Sequence, residues 1–226
     1  KYFFYIDEIL NIKSDNREFS GIYVNGSITY GIDYLLKKNL KISKINYSRK
    51  IDLNNSEQFI KSNIRKCYHS LINWGLRELD LKILDSSNIK MEDIMNLRDL
   101  HMLEAGRITR SKESWIAQYE QIKSSPSFMI NGFLNNELVT SGIFACNQNY
   151  CFYGVSASRR DLFKKPLFHA PMWKAIIHAK EKGMKIFETG CDYVESNSSK
   201  KPSDKESNIA YFKSGFGGRL FQEIIV

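Results

Sequence analysis

An α+β fold, a mixed twisted sheet with helices on both faces, is the architecture the sequence predicts, and three observations predict it. Three strand-like runs, "SFMINGF", "LVTSGIFAC" and "YCFYGVSA", are separated only by the turn triplets "NNE" and "NQN", so they read as an antiparallel meander. A strand and two helices precede the meander. Helix, strand, helix and strand follow it, which gives the order β-α-α-β-β-β-α-β-α-β from Glu78 onward. A crossover helix after a meander brings in a parallel strand, and a sheet of this kind is covered on both faces.

Each element has its own signal. Residues 1–53 hold short β-like runs, "YFFYI", "GIYVNG" and "KISKINYS", around a more helical "YGIDYLLKKNL". From Ser56 to Leu76, apolar side chains at Phe59, Ile60, Ile64, Cys67, Tyr68, Leu71, Ile72 and Trp74 follow helical spacing. Ser56 reads as the N-cap and Gly75 as the terminator, with Lys61, Arg65 and Lys66 on the polar side. "ELDLKIL" alternates and predicts a strand. "KMEDIMNLRDLHMLEAG" and "SKESWIAQYEQIKS" predict two helices, the second capped by Ser111, joined by the basic "GRITR". "PLFHAPMWKAIIHAKEKG" predicts a helix starting near Pro166, with Met172, Ile176 and Ala179 inward and Gly183 at its end. "MKIFETG" is the next strand, "ESNIAYFKSGF" the last helix and "GRLFQEIIV" the last strand. Trp115 and Trp173 are expected in the core, and the polar run from Glu195 to Ser207 is expected to be a mobile loop. In "NIAYFKSGFGG", the helix is expected to bury Ile209, Tyr211 and Phe212 and to be capped by Gly215.

Totals exclude several classes. The chain has 226 residues, 42% apolar, enough for a sizeable core. No run of about 18 apolar residues occurs, so no membrane-spanning helix is expected. The first residue is Lys1 and no small-residue cleavage site follows "KYFFYIDEIL", so the sequence is expected to begin inside a longer protein. Cys67, Cys146, Cys151 and Cys191 form no CxxC pair, and the four histidines form no HExxH, so no metal site is expected. Cys146 and Cys151 flank a hairpin turn and read as buried reduced thiols of a cytoplasmic protein. A net charge of +8, from 33 Lys and Arg against 25 Asp and Glu, favours a polyanionic partner, whether nucleic acid, a sugar diphosphate or a membrane surface.

The element order resembles the acyltransferase fold of the GNAT superfamily, and three words narrow it. "FIKSNIRKCYHSLINWGL" looks like the linker helix of the FemABX family, "MWKAIIHAKEKGMKIFETG" like its helix–Gly–strand step, and "NIAYFKSGFGG" like its Phe-Lys-x-x-Phe-Gly signature. The likeness runs from about Asp52 to Val226. It implies a catalytic domain over 77–226, a linker helix over 56–76, and in 1–55 the tail of a second, degenerate GNAT-like domain. It implies an N-acyltransferase that moves an acyl or aminoacyl group to an amine of a cell-envelope precursor, an amino sugar of a surface polysaccharide or a peptidoglycan peptide. The implied donor is acyl-CoA or aminoacyl-tRNA, with no tightly bound cofactor. The implied acceptor is a nucleotide- or lipid-linked sugar or peptide. The implied location is the cytoplasm, with peripheral contact at the inner membrane face. DNA is not an expected partner. Two features depart from the pattern. The acetyl-CoA signature Gln/Arg-x-x-Gly-x-Gly/Ala is missing from "SRRDLFKKPLFHA", and the linker lacks the coiled-coil arm of some bridge ligases.

Direct attack by an amine needs a polarised carbonyl, a deprotonated amine and a held leaving group. Gly154 marks the place in "CFYGVSAS" where a strand tolerates a bulge and a backbone N–H meets the carbonyl, or else simply leaves room for packing. Arg159, Arg160, Lys164 and Lys165 precede a helix start and suit the donor's phosphates, with His169 as helix cap or substrate contact. They also fit a solvated basic loop. Asp192 and Glu188, on "MKIFETG" and just past it, are the candidate bases, and Glu188 is equally suited to pairing with a lysine. Tyr153 is a general-acid candidate or a core residue. Arg107 and Arg110 are placed to grip an acceptor diphosphate, or to pair with Glu104 and Glu113. Lys213 faces either the negative end of its helix or an anionic substrate. Arg65, Arg159, Arg160, Lys164, Lys165 and Lys213 are expected to rim one cleft. The alternative is a non-catalytic GNAT-like module that binds RNA or a protein.

Overall fold

The computed structural model describes residues 18–22, 44–192 and 202–225. Their elements are β1 (Glu18–Ile22), β2 (Lys44–Asp52), α1 (Glu57–Ser62), α2 (Lys66–Glu78), β3 (Asp80–Leu84), α3 (Met91–Ala105), α4 (Lys112–Ser124), β4 (Phe128–Leu134), β5 (Glu137–Cys146), β6 (Tyr150–Ser158), α5 (His169–Glu181), β7 (Ile186–Asp192), α6 (Asp204–Ser214) and β8 (Arg219–Ile225), with a 3-10 turn at Arg160–Leu162. The predicted order from Glu78 is therefore the order found. "YFFYI", "YGIDYLLKKNL" and most of the polar run after Glu195 lie outside the described residues.

The chain forms two compact units. Among the described residues, the first comprises 18–22, 44–49, 191–192, 202–210 and 219–225, and the second 50–190 and 211–218. In the first, β1 pairs antiparallel with β8, from Glu18↔Ile225 to Ile22↔Phe221. In the second, the strands run β7-β6-β5-β4-β3, antiparallel throughout except that β6 and β7 are parallel. This is the mixed sheet expected.

Strand alternation sorts the second unit's core into two layers. Phe128, Ile130 and Phe144 face a cluster with Tyr68 and Ile72 of α2 and Met172, Ala175, Ile176 and Ala179 of α5. Met129 and Ile143 face the opposite cluster, with Ile94, Leu97 and Leu100 of α3 and Trp115 and Ile122 of α4. Helices thus cover both faces, with Trp115 and Trp173 buried as expected. Cys146 and Cys151 sit opposite each other across the β5–β6 hairpin as buried free thiols. Burial and each other's proximity push the Cys151 thiol upward, so it stays protonated.

Four helix expectations change. The Ser56–Leu76 helix is two helices, α1 and α2. Ser56 caps α1 through Phe59 N–H as predicted, but the chain breaks at Asn63–Arg65, where Arg65 N–H donates to the Gly215 carbonyl at 2.8 Å instead of continuing the helix. Gly75 does not terminate anything. It lies inside α2, where a Cβ would come within 2.6 Å of the Ala170 Cβ, so its function is close approach of α2 to α5. α5 itself begins at His169, not Pro166. In α6, Ile209 and Tyr211 are exposed, while Ala210 and the following Phe216 are buried. Phe212 packs against the second unit's core as expected, whereas Ile209 and Tyr211 do not.

Candidate active site

The parallel pair β6–β7 is the opening in the second unit's sheet. Their pairing covers Tyr150↔Ile186, Cys151↔Phe187 and Phe152↔Glu188 and then stops, although both strands continue. Beyond Phe152 the β7-facing edge of β6 has no strand partner among the described residues. A parallel ladder that ends this early leaves backbone N–H and C=O groups available to a bound group.

Gly154 explains part of this geometry. On the other side of β6, Ile143 pairs with Val155 but Phe144 pairs with Tyr153, so Gly154 is the extra residue of a β-bulge, as its sequence context predicted. The bulge reverses the alternation. Cys151 and Tyr153 belong to the α2/α5 layer, whereas Val155 and Ala157, of the same parity, belong to the α3/α4 layer. Tyr153 and Ser156 consequently point the same way and their hydroxyls hydrogen-bond. The Tyr153 ring stacks between Phe144 and Phe168, with centroids at 5.8 and 5.5 Å. Burial pushes its phenol up to about 12, so it is a neutral donor at every ordinary pH.

Lys213 reaches this opening from the last turn of α6. Its ammonium lies 5.7 Å from the Tyr153 ring centroid. It would stand 2.9 Å from a Cβ on Gly190, a residue of β7 at φ +91. Gly190 therefore makes the room for the ammonium, and it is a site residue the sequence reading missed; its only signal was a glycine at the end of "MKIFETG". The backbone of Lys213 is held firmly. Phe212 and Phe216 meet edge-on at 5.2 Å, Phe216 is fully buried, and Tyr68 packs edge-on against Phe216 at 5.3 Å. Gly217 and Gly218 have φ of 82 and 84, and side chains there would collide with the carbonyls of Asn63 and Lys50. The glycines of "GFGG" thus serve the turn and its packing, not the lysine directly.

Arg65 belongs to the same support. It hydrogen-bonds the Tyr211 carbonyl at 3.3 Å, Ser214 Oγ at 3.2 Å and Tyr68 Oη at 3.2 Å, and its guanidinium stacks 3.8 Å from the Tyr211 ring. It caps the negative end of α6, the task that Lys213 would otherwise have performed.

A neighbouring cavity of about 390 Å³ is lined by Arg159, Arg160, Lys164, Lys165 and His169, together with Phe163, Phe168, Phe212 and others. All five expected phosphate-site residues thus meet there. They are not equivalent. Arg159 donates to Asp161 and Glu137, each at 3.0 Å, and Arg160 reaches Glu104 at 3.6 Å. Lys164 has no ion pair among the described residues, and Lys165 lies 5.7 Å above the Trp74 ring. His169 does not cap its helix. It packs edge-on against Tyr68 and Phe212, at 4.5 and 5.1 Å, and its Nδ1 is buried without a partner. Burial lowers its pKa to about 4, against the opposing pull of the Pro166 carbonyl, so it is neutral.

The remaining candidates do not line this cavity. Glu188 is buried, accepts a short hydrogen bond from Tyr150 Oη and faces Lys50 Nζ at 3.7 Å, the lysine pairing foreseen as its other reading. In the first unit, Asp192 Oδ2 takes hydrogen bonds from Arg49 Nε and Nη2 at 2.9 and 2.8 Å. Arg107 and Arg110 are exposed in the α3–α4 connection and do not line the cavity. Arg110 lies 5.7 Å from the Trp115 ring, and Glu104, its expected neighbour, is engaged by Arg160. Among the described residues no cluster of His, Cys, Asp and Glu could hold a metal.

No protein-family model matches the sequence, and no curated protein matches it. Solved structures do. FemX superposes with a TM-score of 0.65 at 11% identity, over 100% of this chain and 76% of that one. The chain shares the fold of FemX. The C-terminal domain of a putative lysylphosphatidylglycerol synthetase from Agrobacterium fabrum follows, with a TM-score of 0.57, 10% identity and coverage of 92% and 67%. L-PGS from Bacillus licheniformis gives 0.56, 12%, and 84% and 64%. At these identities the likeness to FemX is one of backbone, not of substrate.

Proposed function

We propose that the chain is an N-acyltransferase that moves an acyl or aminoacyl group from a phosphate-bearing donor, acyl-CoA or aminoacyl-tRNA, to an amine of a cell-envelope precursor. The observation that carries this reading is the early end of the β6–β7 ladder, with the Lys213 ammonium directed into the opening between Tyr153 and Gly190. A carbonyl held there would accept a backbone N–H from the bulged stretch of β6. The ammonium would stabilise the oxyanion that develops during attack. The amine nitrogen forms the new C–N bond, and the thioester C–S or ester C–O bond breaks. The amine gives its proton to a carboxylate, for which Glu188, paired with Phe152 at the end of the β6–β7 ladder, is the candidate. The leaving sulfur or oxygen takes one from a donor, for which the neutral Tyr153 phenol is suited. The donor's phosphates are assigned to the cavity with Lys164 and Lys165, which lacks the glycine loop that usually cradles CoA. Arg107 and Arg110 remain candidates for the acceptor's diphosphate. The neighbouring folds in FemX and L-PGS support transfer as the reaction class.

The test is Lys213→Ala, assayed with panels of acyl-CoA and aminoacyl-tRNA donors and amino-sugar or peptide acceptors. The expected loss is on the order of 10²-fold in rate. Because Arg65 already caps α6, the stability change is expected below about 1 kcal/mol. Full turnover by the variant would return Lys213 to a structural role and favour a non-catalytic binding module.

A further inference from the structure

The three most exposed large apolar side chains among the described residues are Phe163, Leu103 and Ile108, at 76%, 70% and 69%. Scattered singly, such residues are ordinary surface. These three sit on segments that are tied together. Leu103 lies in the last turn of α3, and Ile108 lies two residues past Gly106, whose left-handed conformation (φ 65) ends that helix. The loop is held back on α3 by a hydrogen bond between Thr109 and His101 at 3.1 Å. Phe163 follows the 3-10 turn, whose Arg160 N–H donates to Glu104 Oε2 at 3.0 Å, one residue from Leu103.

The same segments are strongly basic. Arg107, Arg110, Lys112, Lys164 and Lys165 are all exposed and have no ion pair among the described residues. The acids around them are largely engaged already: Glu104 with Arg160, and Asp161 and Glu137 with Arg159. Glu113 is the exposed exception. Apolar tips ringed by uncompensated cations match the interface of an anionic bilayer, where the tips enter the headgroup boundary and the cations meet lipid phosphates. We propose that this surface, built from the end of α3, the α3–α4 loop and the turn after β6, docks the protein on an anionic membrane. RNA would use the cations and the Phe163 ring, but it gives the aliphatic Leu103 and Ile108 nothing to do. The inference does not depend on the transferase reading.

Co-sedimentation tests it, with vesicles of phosphatidylcholine alone and of phosphatidylcholine with about a third phosphatidylglycerol. The full chain is expected to bind the anionic vesicles and not the neutral ones. Leu103→Asp with Ile108→Asp is expected to weaken that binding by about tenfold or more, with an unchanged melting curve. Arg107→Glu with Lys112→Glu is expected to weaken it as well and to remove most of its salt dependence. Wild-type failure to bind anionic vesicles would overturn the proposal. So would equal binding by the Leu103/Ile108 variant, or a single-stranded RNA that binds through the same cations and is indifferent to the two aspartates.

Discussion

The antiparallel meander β3–β5 and the β6–β7 junction belong to one sheet but obey different rules. In the meander, pairing runs from Asp80↔Phe133 through Leu134↔Glu137 and Phe128↔Phe144, with one register shift between Gly132 and Phe133 that leaves both flanks paired, and polar groups close on each other. Ser141 Oγ of β5 donates to Asn131 Oδ1 of β4 at 2.7 Å, both buried. At the junction, pairing stops after three residues, a bulge reverses the side-chain alternation, and a lysine, a neutral histidine and a high-pKa tyrosine collect nearby. The contrast teaches a division of labour: the closed part supplies stability, and the open part, on the transferase reading proposed above, holds charge and backbone groups for a ligand.

Substitutions in the closed part should therefore register as stability. Phe144→Ala removes a fully buried ring stacked on Phe128 at 5.1 Å and is expected to cost about 3–5 kcal/mol in urea unfolding. A cost equal to that of Lys213→Ala would dissolve the distinction between the two regions. Gly75→Ala is expected to cost less. Its new methyl would press on the Ala170 methyl, for about 1–3 kcal/mol of overpacking, offset by roughly 1 kcal/mol of helix propensity. A stabilised variant would show that α2 can move away from α5.

The smallest effect concerns pH. His169 has a folded pKa of about 4, below its unfolded value near 6.5. Between those values the unfolded chain binds more protons, so this contribution is complete above about pH 6.5 and is lost as pH falls toward 4. Burial shifts His178 in the same direction. His169→Gln should flatten the acid limb of a stability–pH profile. An unchanged limb would assign the dependence to His178.

Much of this was legible in the sequence. Periodicity gave the element order from Glu78, and the glycine in "CFYGVSAS" marked the bulge. The basic run before α5 foretold a cation-lined cavity. What was hidden depends on partners far along the chain. Arg49 meets Asp192 across 143 positions, and Arg65 caps α6 from 149 positions before Ser214. No local pattern announces either. The break at Asn63–Arg65 was hidden for the same reason, because the Gly215 carbonyl that captures Arg65 N–H lies near the other end of the sequence. The charged rim was only half visible: four cations line the cavity, while Arg65 faces the end of α6 and Lys213 turns toward β7.

The central claim is that a donor carbonyl sits in the β6–β7 opening. Amide hydrogen exchange tests it most directly, with a non-hydrolysable CoA thioether and an aminoacyl-tRNA mimic carrying a 3′ amide as probes. One of the two is expected to protect the amides of Tyr153–Ser158 and of the Gly190 segment, while the meander Phe128–Cys146 stays unchanged. Protection confined to other segments, with Tyr153–Ser158 exchanging as in the free protein, would contradict the account.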